Sequence, residues 1–271
     1  MRIIAVANQK GGCGKTTTAY NLGMALSQTD RRVLLIDIDP QGSLGLIAGI
    51  KIDKLEHNIR DILLGEKKLE DVMISLRENL DIIPSYISLS KIKNDLTRPS
   101  INGQYRLKYS IEDSIERDSS YWSSFDYILI DCPPSLGIFT ICALTASTEV
   151  LIPIGCSNLD IQGTILLLQT INEIKKVRLN KDLVISGVLP TRYQTGTNHA
   201  KESLKRIRDI FKGMKYKGWN IIFNTIIRET VRIKDASYTG IPLSEADPKN
   251  SGKWFENLAK EVITREQEEK T

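Results

Sequence analysis

The chain has 271 residues, 41% of them apolar, which is enough to bury a core in one large domain or two small ones. Its 37 Lys and Arg against 33 Asp and Glu leave a net charge of +4, too small a surplus to declare nucleic-acid binding by itself. Apolar residues recur regularly, which excludes a disordered chain. The charge-free stretch Cys132 to Thr148, with Pro133 and Pro134 near its start, is too short and too polar to cross a bilayer.

Met1 and Arg2 lead straight into a strand-like run with no signal-peptide pattern. In chain order the β-rich runs are 3–7, 33–36, 80–83, 127–130, 149–153, 183–188 and 220–223. Helical spacing fills the gaps, as in 161–177 and 198–213. Continuous apolar strands alternating with helices predict one α/β domain over 1–271, a mostly parallel twisted sheet with helices on both faces. Residues 51–125 are less regular and predict an inserted helical layer. A final amphipathic helix is expected over about 248–265, with a charged tail over 266–271. The four cysteines (Cys13, Cys132, Cys142, Cys156) form no CxxC pair and stand beside no His, which argues for reduced cytosolic thiols and against structural zinc.

The first run ends at Asn8 and is followed by Gln9-Lys10-Gly11-Gly12-Cys13-Gly14-Lys15-Thr16-Thr17, then by a helical segment. Glycines let backbone N–H groups approach phosphate oxygens closely, and a helix N-terminus adds free donors and partial positive charge. Lys15 would meet the β- and γ-phosphates and the Thr16 hydroxyl would ligate Mg²⁺. The generic phosphate-loop pattern opens with Gly, and here that position is Gln9, while Lys10 is a second cation inside the loop. One nucleotide with its metal is neutralised by one loop lysine, so a second is better explained by charge delivered in trans. Two more acidic segments follow strands: Asp37-Ile38-Asp39-Pro40-Gln41-Gly42 and Asp131-Cys132-Pro133-Pro134-Ser135. Carboxylates at C-terminal strand ends sit where open parallel sheets bind ligands. Asp131 and Asp37 are assigned to Mg²⁺ with Thr16, Asp131 through water, and Asp39 to orienting the attacking water.

Together these segments resemble the ParA/MinD family of deviant Walker A ATPases, nearest its short Soj-like members. Ile83-Pro84-Ser85 and Val231-Arg232-Ile233-Lys234-Asp235-Ala236, followed by Gly240-Ile241-Pro242-Leu243, are similar to further family segments. Before Val231 the family usually has Pro-Arg-Asn, where this chain has Arg228-Glu229-Thr230. The resemblance implies that Lys10 reaches across a homodimer to the partner's nucleotide. It also implies that the loops after the last two strands enclose adenine, with Thr191, Tyr193 and Asn224 as candidate contacts. No Asn-Lys-x-Asp guanine-reading motif is present, so ATP is the expected nucleotide.

Charge is uneven. Residues 201–234 hold ten Lys or Arg and three Asp or Glu. Lys201, Lys205, Arg208 and Lys212 recur at helical spacing, beside Leu204, Ile207 and Phe211, and Arg228, Arg232 and Lys234 follow. These seven are the candidate contacts to nonspecific double-stranded DNA. There is no room before the first strand for a helix-turn-helix unit, which argues against site-specific repression. The last helix pairs an apolar face (Trp254, Phe255, Leu258, Ala259, Val262) with mixed charge and an acidic tail, unlike a lipid-targeting helix, so no membrane partner is expected. The resemblance implies a cytoplasmic, nucleoid-associated ATPase that dimerises on ATP and positions cargo, stimulated by a ParB-type or other adaptor. A MinD-like membrane regulator and an iron-protein-like or cluster-assembly ATPase stand as alternatives.

Overall fold

A computed structural model describes residues 1–98 and 102–267, without the side chains of Asn158 and Leu159. Seven strands form one sheet: β1 (Arg2–Val6), β2 (Val33–Asp37), β3 (Ile74–Arg77), β4 (Leu80–Ile83), β5 (Tyr127–Asp131), β6 (Glu149–Gly155) and β7 (Val184–Thr191). Their order is β3-β4-β2-β5-β1-β6-β7, and every pairing is parallel except β3 with β4. Side chains alternate between two cores. Leu34, Ile36, Ile128 and Ile130 pack under helices Arg106–Arg117, Ile138–Ala146 and Asn158–Lys176. Val33, Leu35, Tyr127 and Leu129 pack under helices Lys15–Ser27 and Ser251–Thr264. The central strands are buried on both faces, which is why they read as unbroken apolar runs. The α/β architecture expected from the sequence is the one observed.

Three details differ from the sequence reading. The antiparallel edge strand β3 was not expected; its half-buried alternation is short, and Asn79 turns the hairpin with φ 60°. The run 220–223 is no strand of the sheet. Ile222 makes one parallel bridge to Val188, and Trp219–Asn220 instead pairs with Lys215–Tyr216 in a two-strand ribbon. The Ile222 N–H goes to Asn220 Oδ1 at 2.9 Å, and the Glu261 carboxylate takes the N–H groups of Asn224 and Thr225 at 2.8 and 2.7 Å. With side chains accepting these bonds, no ladder extends. The helix carrying the basic stripe ends at Ile210, so Lys212 lies beyond it.

The C-terminal helix buries Phe255, Leu258, Ala259 and Val262 against the domain. The charged tail is described to Gln267; Glu268 to Thr271 lie outside the described residues. Among the described residues no helix is long and apolar enough to cross a membrane.

Candidate functional site

The loop from Gln9 to Gly14 leaves the C-terminal end of β1, between β5 and β6, and runs into helix Lys15–Ser27. Gly12 and Gly14 adopt φ of 74° and 89°, backbone that residues with a Cβ rarely tolerate. The loop is braced on three sides. Asn8 donates to the Pro153 carbonyl at 2.8 Å and to Thr164 Oγ1 at 3.0 Å, and accepts from the Lys10 N–H at 3.2 Å. Gly163 lets helix Asn158–Lys176 approach, since a Cβ there would lie 3.2 Å from Lys10 N. On the β7 side Thr191 Oγ1 donates to the Cys13 carbonyl at 2.7 Å. Lys15 is buried and its Nζ donates to the Lys10 carbonyl at 3.0 Å. The Lys10 side chain, half-buried, has no hydrogen bond or ion pair among the described residues.

The acidic residues come together as the strand register dictates. Asp37 and Asp131 are direct partners at the ends of the neighbouring strands β2 and β5, and Asp131 also pairs with Val6, the last residue of β1 before the loop. Both carboxylates are fully buried. Asp37 accepts from the Asp39 N–H at 2.9 Å and from the Leu44 N–H at 3.0 Å, so it anchors the Asp39–Gly42 turn. Burial, followed by the charge of Asp131, holds Asp37 well above the usual carboxylate range. Burial pushes Asp131 up to about 7 against the opposing pull of the Thr16 hydroxyl and the Lys15 ammonium, and neither of its oxygens makes a well-formed hydrogen bond among the described residues. Asp39, 8% exposed, accepts at Oδ1 from the Gln41 N–H at 3.0 Å. A buried carboxylate facing the helix-terminal Thr16, without a well-formed hydrogen bond of its own, suits a hydrated cation. No cluster of three His, Cys, Asp or Glu side chains forms a metal cage among the described residues. That donor set fits Mg²⁺, which takes one or two carboxylates and draws its other ligands from water and phosphate.

A cavity of about 290 Å³ adjoins the loop between the ends of β7 and helix Val231–Thr239. Thr191 lines it, whereas Tyr193 and Asn224 do not. The seven basic candidates divide. Lys201, Lys205 and Arg208 are exposed on helix Asn198–Ile210, opposite buried Leu204 and Ile207, with Lys212 exposed just beyond. Arg228 and Lys234 line the cavity by the phosphate loop, and Arg232 is exposed on the first turn of helix Val231–Thr239. All four cysteines are free and buried. Sequence reasoning missed Asn8, Gly163, Arg192 and Glu229. The first two shape the loop through tertiary contacts that no local pattern announces. Glu229 stands in the sequence only as part of a departure from the family pattern, and Arg192 only between two candidate base contacts.

A family model described as an AAA domain matches residues 1–185. The sporulation initiation inhibitor protein Soj of Bacillus subtilis is 40% identical over 263 residues, covering 96% of this chain and 98% of that one. The chromosome partitioning protein ParA of Caulobacter vibrioides is 36% identical over 270 residues, covering 99% and 96%. The structure of cobyrinic acid a,c-diamide synthase from Mycobacterium smegmatis, with bound ATP analog and magnesium, superposes with a TM-score of 0.79 at 31% identity, covering 97% of this chain and 94% of that one. The ATP complex of a Cyanothece McdA variant superposes with a TM-score of 0.81 at 26% identity, covering 100% and 98%. With relatives matched end to end and the two-lysine loop at the end of β1, the chain belongs to the ParA/Soj family of deviant Walker A ATPases.

Proposed function

We propose that this chain is a partitioning or positioning ATPase that binds ATP with Mg²⁺, pairs with a second copy of itself while ATP is bound, and in that state holds DNA without regard to sequence. The ATP and magnesium in the related structures support the cofactor assignment, and the partitioning relatives support the task. The loop from Lys10 to Thr17 would cradle the phosphates, with the Lys15 ammonium moving from the Lys10 carbonyl to phosphate oxygen. Thr16 and, through water, Asp131 would hold the metal, with Asp37 fixing the turn behind it. Bound there, Mg²⁺ supplies positive charge for the β- and γ-phosphate oxygens. Asp39, held at the mouth by the Asp37 anchor, would orient the attacking water.

The observation that carries the dimer is the Lys10 ammonium. It belongs to the phosphate loop, yet its own loop gives it no acceptor, while Lys15, bonded to the Lys10 carbonyl, is placed to serve the local nucleotide. A half-buried cation without a partner among the described residues suits the triphosphate of a facing copy. Pairing would bring two sets of Lys201, Lys205, Arg208 and Lys212 onto one particle, with Arg228, Arg232 and Lys234 nearer the nucleotide, and doubling the phosphate contacts raises affinity steeply. Hydrolysis removes the bridging charge and frees the copies, and an adaptor of the ParB type, or one attached to a protein body, would set its timing. In sedimentation with Mg·ATP, Lys10→Ala should remain monomeric where the parent chain pairs, and should lose DNA binding. A variant that still pairs on ATP would remove the basis for this reading.

A further inference from the structure

The end of β7 grips the phosphate loop from behind. The Thr191 hydroxyl donates to the Cys13 carbonyl at 2.7 Å, and an amino group of Arg192 reaches the Gly12 carbonyl at 3.4 Å. Every described peptide bond is trans. In a planar trans peptide the C=O and the following N–H point in opposite directions. A Cys13 carbonyl turned to Thr191 therefore aims the Gly14 N–H away from β7, and a Gly12 carbonyl turned to Arg192 does the same for the Cys13 N–H. The protein thus satisfies consecutive loop carbonyls and leaves the matching N–H groups for an anion.

Both anchors are themselves held. Thr191 is 2% exposed, pairs with Gly155 in the β6–β7 register, and its carbonyl accepts from the Cys156 N–H at 3.0 Å. Arg192 sits at φ 51°, a left-handed conformation uncommon for a residue with a long side chain, and such outliers gather where function demands a direction. Its guanidinium also meets Glu229 at 3.4 Å, and Gln194 donates to the other Glu229 oxygen at 2.7 Å. The backbone bridge between Tyr193 and Arg228 sets Glu229 beside Arg192. Arg192 therefore links the loop to Glu229, and both line the cavity.

We propose that Thr191, seconded by Arg192, is a positioning residue of the phosphate subsite: it presets the N–H groups of Cys13 and Gly14 for a polyphosphate and does not read the base. The inference rests on the ATP reading above and replaces the base contact that the sequence suggests for Thr191. The test is calorimetric binding of Mg·ATP and of Mg·tripolyphosphate, which has no base, to the full chain. Thr191→Val keeps the shape and removes the hydroxyl. It should weaken both ligands by the same factor, roughly two- to tenfold, as for one lost hydrogen bond. Thr191→Ser should restore both, and Arg192→Ala, at an exposed site, should weaken both by a smaller common factor.

A loss confined to ATP would mean a base contact and overturn the proposal. So would unchanged affinities in Thr191→Val, or a parent chain that binds ATP but not tripolyphosphate. If Thr191→Val does not fold, Arg192→Ala decides by the same comparison, with loss for ATP alone, or for neither ligand, counting against it. A parent chain that binds neither ligand would instead refute the ATP reading itself.

Discussion

Asp131 should make the ligand-free protein less stable than it could be. Its side chain is fully buried at the end of β5, where the Thr16 hydroxyl and the Lys15 ammonium offset only part of the lost water and neither oxygen makes a well-formed hydrogen bond among the described residues. Burial lifts its pKa from 3.8 to about 7. At 1.36 kcal/mol per pH unit, ionising this carboxyl beside its register partner Asp37, which the Asp131 charge also raises, costs the folded chain on the order of 4 kcal/mol above pH 7. Asp131→Asn removes the charge but leaves a buried amide without a well-formed hydrogen bond and gives up the attraction of Lys15, at about 1–3 kcal/mol. The expected net gain is therefore about 2 kcal/mol at pH 8, or roughly 5 °C in melting temperature for a chain of this size.

The sign with pH follows. A carboxyl whose folded pKa is raised adds no cost below pH 3.8, where both states are protonated. The cost grows as pH rises from 3.8 to about 7 and is complete above that. The advantage of the variant should thus shrink as pH falls from 8 to 5. Differential scanning fluorimetry at both pH values, with and without Mg·ATP, measures it. The parent should gain stability from Mg·ATP and the variant should gain little. An Asp131→Asn chain that melts lower than the parent at pH 8, or an advantage that does not narrow at pH 5, would refute the reasoning.

Two further outcomes test the chemistry and the surface. Asp39→Ala should keep ATP and the DNA-bound state while slowing hydrolysis by about 10²–10⁴, the usual contribution of a positioned acid–base group, and a normal turnover rate measured by phosphate release would reassign the water-orienting role. Replacing Lys201, Lys205 and Arg208 together by Ala removes six phosphate contacts from a pair, so it should flatten the plot of log affinity for DNA against log salt by about 5 and leave hydrolysis without DNA unchanged, whereas an unaltered slope would remove this stripe from the interface.

The strands bearing the chemistry were legible because parallel strands buried on both faces give unbroken apolar runs, and because the functional residues follow them directly. Asp37 and Asp131 could be assigned to strand ends from sequence alone; that they are register partners could not, since β2 and β5 are far apart along the chain and pairing is a tertiary property. The apolar run 220–223 misled for a related reason. Ile221 and Phe223 are buried as strand residues would be, yet Asn220 and Glu261 take the N–H groups that a further neighbour would need. The basic residues were legible as a charge surplus but not as a surface. Arg228 and Lys234 lie against the cavity by the loop, and Lys201, Lys205 and Arg208 occupy a separate helix.

The same geometry links the cost at Asp131 to the bracing at Thr191. A flexible loop would have to be ordered when a nucleotide arrives, and that ordering would be subtracted from affinity. Here the loop is ordered beforehand by Asn8, Thr191 and Lys15, each bonded to a loop backbone group or to its flank. The carboxylate that completes the site is buried without a well-formed hydrogen bond, which lowers folding stability. The bracing spares the ordering cost when the ligand arrives, and the buried carboxylate carries a cost that a bound cation relieves, so both favour the loaded chain. If Lys10 completes the neighbouring copy's site, the same argument extends to the pair. The site is then fully satisfied only with a triphosphate and a second copy present, so loss of the terminal phosphate removes an acceptor from each Lys10 at once, and separation follows from the electrostatics without a distinct conformational engine.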